Sequence, residues 1–123
     1  MKYILEVNEK QAQVVSEAME LYARLGIGQY GELNHMSPPQ KPAHAESFFL
    51  AVKDLERYVF DETTARPSIS GAAEPYRIAY DVYQVVRHRL AWDKEPAGGV
   101  QVWYDKPFRV SEEKLPKIKK ETT

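Results

Sequence analysis

A chain of 123 residues, 43% hydrophobic and 28% charged, is long enough for one domain with its own buried core. Its 17 Lys and Arg against 18 Asp and Glu leave a formal charge of −1, which excludes generic, salt-driven capture of nucleic acid. The absence of cysteine excludes disulfide frameworks, thiol nucleophiles and Cys-based zinc sites.

In chain order, residues 2–7 (KYILEV) alternate Tyr3, Leu5 and Val7 against Ile4 and Glu6, the period of a short strand. Asn8 follows as a helix N-cap, with Gln11 three residues on as its capping-box partner. Val14, Val15, Ala18, Met19, Leu21, Tyr22 and Leu25 then fall at helical spacing, with Gln13, Ser16, Glu17 and Glu20 opposite. This predicts an amphipathic helix over about 9–25, stopped by Gly26 in a left-handed turn. Residues 29–34 can add one helical turn, and the proline-rich MSPPQKPAH (36–44) can be neither regular helix nor central strand.

A second helix is expected over 45–60, with Phe48, Val52, Leu55 and Val59 on one face and Glu46, Lys53, Glu56 and Arg57 largely outside. A polar loop follows over 61–75. The third helix, 75–92, begins with Pro75 at a favourable first-turn position. It is apolar on more than one side, through Tyr76, Ala79, Tyr80, Tyr83, Val86 and Leu90 and through Ile78, Val82 and Val85. Such a helix is central to its fold or half of an interface between copies, so a homo-oligomer is expected. VQVWYD (100–105) alternates as a strand and FRV (108–110) can return beside it; the charged tail is loosely held past about 118. The expected fold class is α+β: one domain over 1–123, three main helices, and a small antiparallel sheet from the N-terminal strand and the 100–110 region. No run approaches the roughly 20 apolar residues of a membrane span, and that of MKYILEVNEK is too short for a signal peptide. A soluble protein of the cytoplasm, with no membrane partner, is the expectation.

Catalytic signatures are missing. There is no G-x-S-x-G, and the serines sit in capping or loop contexts. His35, His44 and His88 show no metal-ligand spacing, and neither a metal nor another cofactor is expected. Asp61 and Glu62 form a carboxylate pair that could act as acid and base, although a solvated loop accounts for them equally. The segment YARLGIGQYGEL (22–33) is the richest. Its glycines lack the spacing of a dinucleotide or phosphate loop, and a corner between two helices explains them. Around them, however, stand Tyr22, Arg24, Gln29 and Tyr30, aromatic faces, a guanidinium and an amide beside the open backbone of Gly28. A planar base can stack on Tyr and a phosphate can take paired bonds from Arg. Tyr76, Tyr80 and Tyr83 repeat that chemistry as a stripe continued by Arg87, and Arg66 with Ser68 and Ser70 precedes Gly71 in a polar loop of the kind that wraps anions.

LYARLGIGQY (21–30), AYDVYQVVRHRLAWDKEP (79–96) and LPKI (115–118) together resemble a set of small, mostly uncharacterised tailed-bacteriophage accessory proteins. These share an LYSR-type segment ending in GQF or GQY, a YD-I/V-YQV helix running on to LAWD, and a short C-terminal element around a proline. The matching positions are Leu21, Tyr22, Arg24, Gly28, Gln29 and Tyr30, then Tyr80, Asp81, Tyr83, Gln84, Arg87, Leu90, Ala91, Trp92 and Asp93. The resemblance spans about two thirds of the chain and carries no established activity. It implies an accessory protein made in the cytoplasm of an infected bacterium. Proteins of that class commonly counter host defence, by sequestering nucleotide signals in oligomers or by binding a defence protein directly.

The leading expectation is therefore a non-enzymatic homo-oligomer that sequesters a small anionic ligand of nucleotide type. Tyr22, Tyr30, Tyr80 and Tyr83 would stack on bases, Arg24, Arg66 and Arg87 would hold phosphate, and Gly28 and Gln29 would line the site. The alternative is a protein–protein inhibitor or regulator of a host protein, with exposed Tyr, Trp and Arg as hot spots. A third is a hydrolase using Asp61, Glu62 or His88.

Overall fold

The computed structural model describes residues 1–36, 39–60, 66–97 and 106–121. Among them lie four α-helices, α1 (Glu9–Gly26), α2 (Leu33–Met36), α3 (Ala45–Val59) and α4 (Glu74–Lys94), with 3-10 turns at Tyr30–Glu32, Pro42–His44 and Ile69–Gly71. The three long helices fall where the apolar spacing predicts them. The start of α1 is fixed locally: Asn8 accepts the Gln11 N–H at 2.8 Å, and the Gln11 side chain accepts the Asn8 N–H at 2.9 Å. That reciprocal pair satisfies two amide groups that a helix start otherwise leaves open.

The expected sheet is overturned, and the fold of the described residues is all-helical rather than α+β. Residues 2–7 form no strand, and Tyr3, Ile4 and Leu5 are almost fully exposed. Residues 100–105, the other half of the expected pairing, lie outside the described residues. Residues 106–110 form no strand, and the chain at 110–111 is bonded to α4 instead. The Asp81 carboxylate accepts the Val110 N–H at 2.7 Å, the Ser111 N–H at 3.2 Å and the Ser111 hydroxyl. A strand needs a partner for its backbone, and here a carboxylate supplies it.

α1 and α4 run antiparallel: Ser16 Oγ lies 3.5 Å from the Tyr83 carbonyl, while Gly26 sits against Tyr76. The buried face of α1 is Ala12, Ser16, Ala23 and Gly26, a row of small residues rather than the larger apolar ones that mark its amphipathic pattern; Val14 and Tyr22 are exposed. Small residues let the two backbones approach closely, and Ala79, Val85 and Val86 of α4 belong to the same core. α4 does lie at the centre, with α1 on one side and residues 110–111 tied to another. Helix α3 is different. Only Val52 is buried on it, and it rests on the 30–32 turn, α2 and the 42–44 turn rather than on the α1–α4 pair.

Candidate functional site

The glycine stretch after α1 is a helix stop with two distinct jobs, assigned the opposite way from the expectation. Gly28, not Gly26, has positive φ, 82°. Its N–H donates to the Leu25 carbonyl at 3.1 Å, and the Gln29 N–H donates to the Arg24 carbonyl at 2.9 Å. This is a Schellman arrangement, which satisfies the last carbonyls of the helix through a left-handed residue. Gly26 remains inside α1, and its missing Cβ leaves room for the ring of Tyr76 directly against the backbone. The Tyr76 ring in turn meets that of Tyr22, with centroids 5.0 Å apart and planes tilted by 48°.

Of the residues singled out in 22–30, Arg24 and Gln29 bond to each other, and Arg66 joins them at the corner, its Nη1 reaching the Gly28 carbonyl at 3.5 Å. Its carbon chain packs on Gly28 beside the Phe60 ring. Both arginines are already engaged by acids. Arg24 Nε lies 3.2 Å from Glu20 and 3.7 Å from Glu32, and its Nη1 donates to the Gln29 side chain at 2.7 Å. Arg66 pairs with Glu56 of α3. Two guanidinium groups thus face three carboxylates, so the corner carries no surplus positive charge for a phosphate. Each such pair, partly exposed, contributes only about 0.2–1 kcal/mol, and together they hold the corner's shape. Of the acids, Glu20 was visible from the sequence as the helical i,i+4 neighbour of Arg24. Glu32 and Glu56 come from other elements, and no spacing announces them.

Tyr80, Tyr83 and Arg87 lie farther along α4. The Tyr80 and Tyr83 rings meet edge to face at 6.1 Å. Tyr83 and Arg87 share a cleft of about 220 Å³ between α1 and α4, whose α1 wall carries Glu9, Glu17 and Glu20 and whose α4 end carries Lys94. The Tyr83 hydroxyl is pushed up to about 12 by burial, then by the charge of Glu20 and a hydrogen bond to it, with Arg87 and Arg24 pulling the other way. Neutral Tyr83 is the form the folded protein favours, so this contact is intact below the ordinary tyrosine range near 10 and is lost as pH rises through about 12. In an ultraviolet titration, one tyrosine is expected to ionise well after the exposed ones, and Tyr83→Phe is expected to remove that late step. A late step that survives the substitution contradicts the assignment.

The other sequence candidates do not converge on either place. Asp61 and Glu62 lie outside the described residues. His88 accepts the Trp92 indole N–H at 3.0 Å within α4, an aromatic contact along one helix. No group of three His, Asp or Glu able to hold a metal ion occurs among the described residues, and none of their helices is long and apolar enough to cross a membrane. Asp81 was legible as part of a motif, and its role was not: a buried carboxylate in an apolar helix requires donors, and residues 110–111 provide them. No family model, no curated protein and no solved structure matches the chain.

Proposed function

We propose that the chain is a non-enzymatic binding protein that works by protein–protein association through α3. The observation that carries this reading is the apolar side of that helix. Leu55 and Val59 are about half exposed, Tyr58 is 87% exposed, and only Val52 is buried. Amphipathic helices of 15 residues are held in place by burying their apolar face, and this one leaves most of it open. The resemblance to small tailed-bacteriophage accessory proteins suggests a host protein as a partner, in the cytoplasm of an infected bacterium.

Sequestration of a nucleotide-type anion is the second reading, favoured by Tyr83 and Arg87 sharing the α1–α4 cleft. Charge and size weigh against it. Three glutamates line that cleft, one of them, Glu20, already holding Arg24; Arg66 is paired with Glu56; and about 220 Å³ is below the roughly 300–1,000 Å³ of common ligand sites. A thermal-shift panel of cyclic and linear nucleotides at millimolar concentration is expected to leave Tm unchanged within about 1 °C. A saturable rise of several degrees, the linkage signature of a ligand bound well below its concentration, would move the reading to sequestration.

A further inference from the structure

Resting on the reading of α3 as an association surface, we infer that its apolar stripe pairs with α3 of a second copy of this chain, antiparallel across a two-fold axis. Phe48, Ala51, Leu55 and Tyr58 follow the 3-4-3 spacing of a helix–helix seam, and no charged residue interrupts them. Ala51, Leu55 and Tyr58 are exposed, and Phe48 is half-buried at the inner edge.

The stripe is its own complement. Antiparallel pairing about residue 53 sets Phe48 against Tyr58 of the second copy and Ala51 against Leu55 of the second copy. Each contact then occurs twice, aromatic on aromatic and small on large, as a two-fold interface requires. The area is that of a small interface. Aromatic side chains bring about 150–250 Å² each, so Tyr58 with Leu55, Val59 and the edge of Phe48 supplies several hundred Å² per chain. Two such faces approach the roughly 1,000 Å² of a specific interface. The surface expected to pair from the sequence, that of α4, is covered within the chain by α1 and residues 110–111. Self-association therefore moves to α3.

Multi-angle light scattering of the full chain at tens of micromolar is expected to give twice the 14.2 kDa of one chain. Leu55→Glu and Tyr58→Glu should each weaken pairing by about 30-fold or more, the scale of a hot-spot loss, with helicity by circular dichroism retained. Leu50→Glu, exposed but about a third of a turn away from the seam, should leave the mass unchanged. Because the chain has no cysteine, mixing Ala51→Cys with Leu55→Cys chains should yield an oxidised mixed dimer in preference to either homodimer. A single-chain mass, or a dimer indifferent to Leu55→Glu and Tyr58→Glu, overturns the pairing. In a single-chain protein, carbene labelling of Tyr58 separates the two failures: heavy labelling leaves α3 open for another protein, whereas protection removes the association surface itself.

Discussion

Asp81→Ala is expected to lower the unfolding free energy by about 3–5 kcal/mol. The side chain is 2% exposed and accepts two backbone N–H groups and a hydroxyl from residues 110 and 111. Alanine leaves those donors facing α4 with no acceptor, in a place that water does not reach. Against a typical total of about 5–15 kcal/mol, the loss is large, and Tm should fall on the order of 10 °C or more. Asp81→Asn should fall between the two, since its amide keeps one acceptor and turns two donors toward donors. Urea unfolding gives the magnitude, and limited trypsin digestion gives the location, through earlier cleavage at Arg109 and Lys114. A loss below about 1 kcal/mol would mean that residues 110–111 are held by something else.

Gly26→Ala is expected to destabilise by about 2 kcal/mol or more although it replaces glycine by the best helix former. Inside a helix the exchange alone gains roughly 0.5–1 kcal/mol. Here the new Cβ falls within the Tyr76 ring, overlapping Cγ and both Cδ atoms, and that ring is held by Tyr22. Overpacking of this kind costs about 1–3 kcal/mol and sometimes more, so it outweighs the propensity gain. The sign should reverse when the obstacle is removed: on a Tyr76→Ala background, Gly26→Ala should be neutral or stabilising. Gly28→Ala should behave otherwise. Its cost of about 1–2 kcal/mol comes from left-handed backbone and should persist whether or not Tyr76 is present. A Gly26→Ala penalty unchanged by Tyr76→Ala would contradict this division of labour.

These two positions show what a sequence can and cannot announce. The capping box of α1 is local, four consecutive residues deciding their own hydrogen bonds, and it was legible. The central place of α4 was legible too, because its apolar residues fall on more than one side. Which of two glycines turns left and which admits a ring depends on where Tyr76 arrives from 50 residues away. Residues 2–7 had the right alternation and form no strand; their expected partner, 100–105, lies outside the described residues, and the backbone of residues 110 and 111 is held by Asp81. Arg24 does bond to Gln29 and Arg66 does reach Gly28, while Tyr22 turns to Tyr76. What spacing could not supply was the company of Glu20, Glu32 and Glu56, which turns an apparent anion site into a charge-satisfied corner. The face of α3 was read as inward-facing because it is amphipathic; nothing in the helix itself states that the covering surface lies elsewhere.

The most direct test of association through α3, against ligand capture at the corner or cleft, is amide hydrogen exchange. It would be read at high and at low protein concentration, with and without a nucleotide mixture. Protection over residues 45–60 is expected to rise with protein concentration, while 22–36 and 66–87 stay unchanged and nucleotides alter neither. Protection that appears over 22–36 or 66–87 on adding nucleotides, with 45–60 insensitive to concentration, would contradict it.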